Sequence, residues 1–469
     1  MAFILLCNLA CRKLIRFDMD TQLDWSVYEN YGSGDAFAQL PVVGGGYGKA
    51  TAVCIGNRQC QRTEQGVMCP SFRITNNPAH STHHRAKTLK AALNGEYGSR
   101  PFADSEIVQA MDLCVGCKGC KRECPNGVDM ALLRIEALAQ RWQAVGKAPL
   151  RERLFAYLPH YLTKHLLVCW LSGLHRRIPL LAKLGECWLG ISAKRSIPRV
   201  AKRSFLSSLP NKTLGDSNGR EVALLVDTFS NYFAPETAQA ALELLVAGGY
   251  RVHIIGSVDG KRPLCCGRTF LSNGLVKEAR DEAQRTVTAL FPYAKKGIPI
   301  IGLEPSCLLM LRDEYYALGL GEQVEVIGKL AMLLEEFLAR EHDAKQLKLT
   351  FKLQPDTQAI IHGHCHQKAF GAMKAVRKLL NLVSGLTSEF IESSCCGMAG
   401  AFGYEAEHFE PSLQMAELSL LPNVRQAKPG TWVVANGISC QHQIRDGAQR
   451  ESVHLAQVLR AALVIPTVS

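Results

Sequence analysis

The chain has 469 residues, 47% of them apolar and 20% charged, a balance that excludes a disordered or fibrous protein. At roughly 150 residues per domain, this length predicts about three domains. Its 18 cysteines are too sparse and too clustered for a disulfide scaffold, so they indicate metal or redox chemistry in a reducing compartment. No run approaches the roughly 20 apolar residues that would span a bilayer.

The net charge is +12, and much of the excess falls in residues 151–204. Such a local patch indicates an anionic partner or surface rather than a protein that is basic throughout. Aromatic residues are not interleaved with the cations, as they are in grooves that bind single-stranded nucleic acid. A nucleic-acid partner is therefore not expected.

Residues 1–48 are expected to form an N-terminal extension. Residues 1–10 are mostly apolar but lack the basic segment and cleavage site of a secretory signal, so residues 1–20 are interpreted as a native start or a truncation remnant. Residues 12–48 are predicted to be loop. The glycine-rich stretch at 43–48 lacks the strand and spacing of a dinucleotide-binding fingerprint and is predicted to be a flexible turn.

A cysteine-rich module follows at residues 49–145. Its central run is Cys114-Val-Gly-Cys117-Lys-Gly-Cys120-Lys-Arg-Glu-Cys124-Pro125, which has the C-x2-C-x2-C-x3-C-P spacing of bacterial 4Fe–4S sites. A cysteine at every third residue lets three thiolates wrap one face of a cubane, whereas zinc sites use two separated pairs. The run therefore predicts a 4Fe–4S cluster, and a helix N-capped by Asp129 is predicted after it.

An incomplete copy of this run lies upstream. Cys54 and Cys60 take its first and third positions, Asn57 stands where the second cysteine should be, and Cys69-Pro70 takes the fourth. In two-cluster ferredoxins the fourth cysteine of each run serves the other cluster. That exchange would give one complete site (Cys114, Cys117, Cys120 and Cys69) and one site short of a ligand (Cys54, Cys60 and Cys124).

The number of clusters stays open at this point. The short site is consistent with a 3Fe–4S centre, a 4Fe–4S centre with an unusual ligand, or an empty site. The alternative is one local cluster held by Cys114, Cys117, Cys120 and Cys124. Three histidines between the two runs could ligate or tune a cluster, although a polar loop is the favoured interpretation: His80, His83 and His84. Nearby cations are expected to offset the charge of the cluster: Arg73, Arg85, Lys118, Lys121 and Arg122.

Residues 146–215 are basic and helical in pattern, with Pro159, Pro179 and Pro198 as helix breakers. Leu- and Trp-rich faces alternate with Arg and Lys. The pattern predicts a helical linker with a solvated basic face; the alternative is a docking surface for a partner protein or for anionic lipid.

An internal repeat fills the rest of the chain, as a first lobe at 216–350 and a second lobe at 355–469. Predicted strands at 222–227, 251–255 and 298–302 in the first, and 359–363 and 431–435 in the second, alternate with helices. This order indicates parallel βαβ units, which present ligands at the carboxyl ends of their strands. The predicted fold class is therefore α+β overall, with a helical ferredoxin-like 4Fe–4S module followed by two α/β cysteine-rich lobes.

Each lobe carries the triplet Cys-Cys-Gly. Two adjacent thiolates can hold one metal ion or one edge of a cluster. The second lobe offers four cysteines and is expected to bind an iron–sulfur or zinc site: Cys365, Cys395, Cys396 and Cys440. The first lobe offers three and has Thr228 near the expected strand-end cysteine, so it is interpreted as degenerate: Cys265, Cys266 and Cys307. Buried inert thiols are the alternative for both lobes.

Together these motifs resemble the iron–sulfur subunit of glycolate oxidase and the cysteine-rich subunits of heterodisulfide reductase. Three segments, at 66–73, 111–125 and 435–444, resemble more closely the C-terminal half of bacterial FAD-linked D-2-hydroxy-acid dehydrogenases of the D-lactate and D-2-hydroxyglutarate types. One departure is Gln443, which stands where the pattern usually places its last cysteine; His442 beside it could substitute as a ligand.

The resemblance implies an electron-transfer module without a catalytic residue of its own. A partner chain would carry FAD and oxidise D-lactate, glycolate or D-2-hydroxyglutarate, and electrons would leave toward a quinone or cytochrome. The expected location is the cytoplasm; the alternative is peripheral association with the inner face of the membrane. The rival interpretations are a heterodisulfide-reductase-like catalytic subunit and a structural remnant of a split flavoprotein gene.

Overall fold

The computed structural model describes residues 19–63 and 66–464; the apolar start at 1–10 lies outside these ranges. Helices and strands are both present, so the predicted mixed α+β class is confirmed at that level. The helical part comes first, and the described strands run from Thr213 onward.

Short helices build the N-terminal module around its cysteine loops. They are α1 (Gly45–Ala52), α2 (Pro70–Thr75), α3 (Thr82–Leu93), α4 (Ser105–Asp112), α5 (Gly119–Glu123) and α6 (Met130–Val145). Helix α6 starts as predicted, because the Asp129 carboxylate accepts a hydrogen bond from the backbone N–H of Leu132 at 3.1 Å. Leu133 and Ile135 are buried, which makes α6 the central helix of the module.

The segment before residue 48 is not a loose extension. Leu23 and Trp25 are buried, and the Glu136 carboxylate of α6 accepts hydrogen bonds from both backbone and side chain of this segment, including the Trp25 indole N–H at 3.2 Å. The predicted glycine-rich turn is wrong from Gly45 onward, since α1 begins there. Gly46 has a packing role, because a Cβ on it would collide with the Trp25 backbone carbonyl.

The basic segment is helical, as its pattern indicated. Its helices are α7 (Leu150–Ala156), α8 (Leu158–Tyr161), α9 (His165–Arg177), α10 (Pro179–Leu189) and α11 (Phe205–Ser208). Pro159 and Pro179 lie in the first turns of α8 and α10, where a missing N–H costs nothing. The prolines therefore divide the segment into a chain of short helices.

The first lobe is a five-stranded sheet with the order β1-β3-β2-β4-β5. Its strands are β1 (Thr213–Gly215), β2 (Glu221–Leu224), β3 (Arg251–Ile254), β4 (Ile300–Gly302) and β5 (Ala331–Leu333). Only β1 among these runs antiparallel to its neighbour. The helices of this lobe are α12 (Thr228–Tyr232), α13 (Pro235–Ala247), α14 (Arg268–Leu271), α15 (Val276–Ala294), α16 (Pro305–Leu308), α17 (Glu314–Ala317), α18 (Gln323–Leu330) and α19 (Leu334–Asp343).

The second lobe is a parallel three-stranded sheet with the order β7-β6-β8. Its strands are β6 (Phe351–His362), β7 (Val383–Phe390) and β8 (Trp432–Ala435). The helices are α20 (Cys365–Ala369), α21 (Met373–Asn381), α22 (Phe409–Glu417), α23 (Leu420–Gln426), α24 (Ile438–Ala448) and α25 (Leu455–Ala461). Because the strands are parallel, their cysteine-bearing carboxyl ends share one edge of the sheet.

The two lobes are joined through one hydrophobic core, which contains Val222 and Ile301 of the first sheet together with Ile361 of the second. The Glu304 carboxylate, just after β4, also accepts a hydrogen bond at 2.9 Å from the backbone N–H of Ile438, which begins α24. Burial raises the pKa of Glu304 to about 7. The paired cysteine regions are therefore held in a fixed relation to each other.

An ion-pair cluster ties the second lobe to the N-terminal module. The His408 imidazole lies 2.6 Å from the Glu405 carboxylate and 3.0 Å from that of Asp112, the last residue of α4. Burial disfavours the imidazolium, but the two carboxylates outweigh it and raise the pKa of His408 to about 9. The folded protein therefore holds a proton on His408 that the unfolded chain releases near its ordinary value of 6.5.

We expect this stabilisation to be complete below pH 6.5 and to be lost as the pH rises to 9. The His408→Gln variant should show a smaller fall in melting temperature than the parent over that interval. The half-exposed His342 provides the control, since His342→Gln should retain the parental slope. Equal slopes for parent and His408→Gln would contradict the assignment.

Candidate functional site

Four cysteine side chains line one internal cavity of the N-terminal module: Cys69, Cys114, Cys117 and Cys120. Cys124 is not among the residues that line it. The sequence left the fourth position open between Cys69 and Cys124. The structure brings Cys69 to the other three.

Local backbone geometry brings the two cysteine loops together. Cys69 adopts a left-handed conformation (φ +53°) directly before Pro70, which starts α2. Its Sγ accepts a hydrogen bond from the Thr82 backbone N–H at 3.2 Å. On the facing loop Gly119 allows close approach, because a Cβ there would lie only 3.2 Å from the Met68 Cα.

The donor set of this cavity fits a 4Fe–4S cluster, which cysteine thiolates hold through four sulfurs. Burial raises the pKa of the Cys117 and Cys120 thiols above their ordinary range. Thiols in such surroundings become thiolates only beside a compensating positive charge, which iron would supply. Two cationic residues line the cavity, Arg85 and Lys118; the buried Arg85 guanidinium donates to the Ala110 carbonyl at 2.7 Å.

Lys118 was expected to offset the charge of a cluster, but its ammonium is committed elsewhere. Its side chain is 1% exposed and lies between three carboxylates, at 3.2 Å from Asp129, 2.5 Å from Asp313 and 3.1 Å from Glu314. Burial alone would lower the pKa of Lys118, yet the three carboxylates raise it. Lys118 therefore fastens the cysteine run to the first lobe.

The same network continues to the first Cys-Cys-Gly triplet. Glu314 also accepts from the Arg268 guanidinium at 2.7 Å, and Arg268 directly follows Gly267. Burial alone would raise the pKa of the Glu314 carboxyl, but the adjacent Arg268 and Lys118 cations lower it to about 2. A continuous chain of buried charges thus joins the cluster loop to the first lobe.

Replacing Lys118 by methionine should remove the one buried ammonium that Asp129, Asp313 and Glu314 share. We expect the Lys118→Met variant to lose about 3–5 kcal/mol of unfolding free energy. The adjacent Lys121 contacts the same Asp129 and Asp313, but its side chain is 42% exposed. Lys121→Met should cost about 1 kcal/mol or less. Equal losses in guanidinium titrations of the two variants would refute the assigned role of Lys118.

A second group of sulfurs lies beside the first. The Cys54 Sγ is 3.7 Å from the His83 Nδ1, and the Cys60 Sγ accepts from the His83 backbone N–H at 3.3 Å. Burial raises the pKa of the Cys54 thiol, and the nearby Cys124 adds to this effect. The structure therefore brings Cys54, Cys60 and Cys124 to one side of the module, with His83 among them.

Asn57 does not supply the missing ligand. Its amide donates to the Asn126 side chain at 2.9 Å, and its Oδ1 accepts from the Gln59 backbone N–H. Both polar atoms of Asn57 are therefore used in holding the turn. Of the three histidines between the runs, His83 lies next to the sulfurs, whereas the His80 Nδ1 contacts Thr75 at 2.9 Å.

The second lobe gathers its cysteines at the carboxyl ends of its strands. Cys365 begins α20 after β6, the pair Cys395–Cys396 follows β7, and Cys440 lies on α24 after β8. Ligand atoms of His362, Cys396 and Cys440 all lie within 4.8 Å of one another. The run His362-Gly-His364-Cys365-His366 indicates donors around Cys365, but only the fold shows that His362 is the histidine grouped with the sulfurs.

Two polar residues near Cys440, His442 and Gln443, form hydrogen bonds to residues outside the cysteine group. The His442 Nε2 lies 2.8 Å from the Ser196 carbonyl oxygen, so His442 is not placed as the substitute ligand that its sequence position allowed. The Gln443 amide donates to the Ser412 carbonyl at 2.9 Å. A helical side chain two positions after Cys440 points to a different face of α24, which explains the outcome for His442.

The glycine of each triplet serves packing. Gly267 and Gly397 adopt left-handed conformations (φ +88° and +81°), and a Cβ on either would collide with a backbone carbonyl, of Ala279 or Ser412. Glycine lets a helix lie directly against the paired cysteines.

The first lobe also assembles its three cysteines. Cys265, Cys266 and Cys307 are buried, and hydrogen bonding between neighbouring thiols contributes to the raised pKa of each of the first two. Thr228 stands near the position of the expected strand-end cysteine and hydrogen-bonds to Cys265. This lobe therefore offers one sulfur fewer than the second.

The cluster loop and the second lobe are in direct contact. Cys117 packs in one apolar group with Cys395, Cys396 and Cys440. The His366 Nε2 lies 3.3 Å from the Gly116 carbonyl oxygen. Across this boundary the Ser394 hydroxyl also donates to the Val67 carbonyl at 2.5 Å. The two cysteine-rich regions thus form adjoining parts of one site.

Comparison with known proteins supports the cluster chemistry. A model of the 4Fe-4S dicluster domain matches residues 50–128. The chain is 26% identical over 454 residues to a D-2-hydroxyglutarate dehydrogenase of Escherichia coli K12, covering 87% of this chain and 43% of the relative. It thus spans about half the length of the D-2-hydroxyglutarate dehydrogenases that it matches.

Shorter relatives are matched over most of their length. The chain is 24% identical to a probable glycolate oxidase iron-sulfur subunit of Bacillus subtilis 168, covering 84% of this chain and 91% of the relative. It is 26% identical to one subunit of the anaerobic glycerol-3-phosphate dehydrogenase of Escherichia coli K12, covering 60% of this chain and 69% of that subunit. The resemblance predicted from the motifs is confirmed: the chain carries a 4Fe-4S dicluster domain and is related to these iron–sulfur subunits and dehydrogenases.

Proposed function

We propose that this chain is the iron–sulfur electron-transfer module of a flavin-dependent D-2-hydroxy-acid dehydrogenase. The observation that carries the proposal is the contact between the cysteine-lined cavity and the thiols of the second lobe across residues 116–117. A 4Fe–4S cluster supplies one-electron chemistry, and the protein supplies ligands, burial and charge.

The N-terminal module would hold two clusters. Cys69, Cys114, Cys117 and Cys120 would ligate the first. Cys54, Cys60 and Cys124 would ligate the second, with His83 in the position left by the missing cysteine. The match to a dicluster model and the proximity of the His83 ring to Cys54 support this division.

The lobes have unequal roles in this proposal. The second would bind metal near Cys365, Cys395, Cys396 and Cys440. The first would remain a metal-free structural lobe, since Cys265, Cys266 and Cys307 are joined by Thr228 and not by a further cysteine.

The partner would be an FAD-binding chain that oxidises a D-2-hydroxy acid such as D-lactate, glycolate or D-2-hydroxyglutarate. The chain's similarity to a glycolate oxidase iron-sulfur subunit and to part of the longer D-2-hydroxyglutarate dehydrogenases supports this pairing. Electrons would leave toward a quinone or a cytochrome.

Two 4Fe–4S clusters predict about eight iron atoms and eight acid-labile sulfides per chain after anaerobic purification. Cys117→Ser and Cys69→Ser should disturb the same EPR signal of the reduced protein, whereas Cys124→Ser and His83→Ala should disturb the other. The exposed Cys187 provides the control, and Cys187→Ser should retain all iron.

Protein without iron or sulfide would overturn the proposed function as a whole. A parental spectrum in Cys117→Ser would refute the ligand assignment of the first cluster. If Cys124→Ser disturbs the same signal as Cys117→Ser and Cys69→Ser leaves it unchanged, one local cluster is present instead of two.

Helices α9 and α10 present an apolar surface to solvent, here named the α9–α10 face. Trp170 is 63% exposed and Trp188 is 85% exposed. Leucines extend the same face: Leu166, Leu167, Leu171, Leu180 and Leu184. No described helix is both long enough and apolar enough to cross a bilayer. We propose that this face rests on a membrane surface, whose anionic headgroups suit the excess positive charge of residues 151–204.

Binding to liposomes tests this placement. The double variant Trp170→Ser/Trp188→Ser should bind vesicles containing anionic lipid about tenfold or more weakly than the parent, because its two largest apolar side chains are lost. Phe37 is 92% exposed elsewhere, and Phe37→Ser should bind normally. Equal co-sedimentation of the parent and the double variant would contradict the placement, and binding only to a flavoprotein would assign the face to that partner.

A further inference from the structure

We propose that His362 is a metal ligand. The second lobe would bind a single Zn²⁺ ion through the His362 Nε2 and the sulfurs of Cys396 and Cys440. The fourth position would be taken by Cys395. This inference rests on the proposed metal site of the second lobe. It adds that the site holds one metal ion and that one of its ligands is a histidine nitrogen.

The His362 side chain is placed to ligate. It is 1% exposed, and its Nε2 forms no hydrogen bond to a nitrogen or oxygen atom of the described residues; the imidazole interacts instead with the Cys396 thiol. A buried imidazole nitrogen without a nitrogen or oxygen partner is costly, because the interior offers no water to replace the lost hydrogen bond. A metal ion at this nitrogen removes that cost.

The other ring nitrogen is held as it is in metal-binding histidines. The His362 Nδ1 lies 2.9 Å from the Ser393 hydroxyl oxygen, which is in turn fixed by the Lys368 ammonium at 3.0 Å. A histidine that ligates through Nε2 usually donates its Nδ1–H to such a partner, which sets ring orientation and tautomer. Ser393 precedes the cysteine pair by two residues, so one segment supplies both the sulfur ligands and this support.

The spacing of the donors indicates one ion rather than a cubane. The three ligand atoms lie within 4.8 Å of one another. Around one tetrahedral zinc, with Zn–S near 2.3 Å, ligand atoms are roughly 3.5–3.8 Å apart, so a small contraction suffices. The thiolates of a cubane bind different iron atoms and are held farther apart.

The donor chemistry agrees with this assignment. Nitrogen and sulfur ligands in a closed, buried tetrahedral set are those of a structural zinc site. Cys396 and Cys440 are 4% and 1% exposed, so both sulfurs are shielded from bulk solvent. The Cys395 sulfur accepts from the Gly397 backbone N–H at 3.4 Å and neighbours the sulfurs of Cys365 and Cys396, so it would have to move toward the three grouped ligand atoms to take the fourth position.

The test is metal analysis and zinc-edge X-ray absorption on the full chain. The anaerobically purified parent should contain about one zinc per chain, with one nitrogen and three sulfur neighbours. His362→Gln should lose its zinc to a chelator at least tenfold faster than the parent, while its iron content stays unchanged. His362→Cys, which offers a sulfur at the same place, should retain zinc with four sulfur neighbours.

His364 is the matched control, since it is also buried but uses its Nδ1 to accept from the His366 backbone N–H at 3.1 Å. His364→Gln should keep the parental zinc environment. Four sulfur neighbours in the parent, or iron in place of zinc, would overturn the inference. Parental zinc retention in His362→Gln would do the same.

The result of this zinc test can be distinguished from the result that tests the proposed function. Zinc bound without iron would remove the electron-transfer proposal and leave the histidine-ligated site standing. Iron in the N-terminal module with a second lobe free of metal would do the reverse. The Cys117→Ser variant should keep its zinc, because none of the proposed zinc ligands belongs to the cysteine run.

Discussion

The buried ammonium of Lys118 is the interaction on which the arrangement depends. Its three carboxylates come from the start of α6 and from the first lobe, so one side chain fixes the cysteine run against both. Isolating such a charge from water is costly unless every partner is in place. The network therefore stabilises one docking geometry of the cysteine run over others. Lys118 itself adopts a left-handed backbone conformation (φ +60°) directly before α5.

From that fixed loop, the remaining contacts follow in sequence. Gly116 and Cys117 project toward the second lobe, where His366, Cys395 and Cys396 meet them. The parallel strands of that lobe end at one edge, which concentrates thiols and histidines within a small volume. A shared hydrophobic core prevents the two lobes from moving apart. The protein thus places a cysteine-lined cavity and a second metal-type donor set side by side, with most of their sulfurs buried.

The sequence predicted local features well where a short motif determines them. The mixed α+β class, the Asp129 cap and the alternation of strands and helices all follow from spacing and capping, and the structure contains them. Features set by long-range packing were not predictable. The Gly45–Gly48 stretch lacks helix propensity but is helical because Gly46 packs against Trp25. Lys118 was expected to serve a cluster because no sequence signal links it to Asp313, 195 positions away. The placement of His83 and His362 beside sulfurs likewise required the fold.

The central claim is that two clusters lie close together in the N-terminal module, and magnetic coupling between them tests it most directly. The fully reduced, anaerobic protein should give an EPR signal that integrates to about two spins per chain and is broadened by dipolar interaction. At partial reduction the broadening should disappear, since few molecules then carry both spins. A signal of one spin per chain, unbroadened at every stage of reduction, would contradict the account.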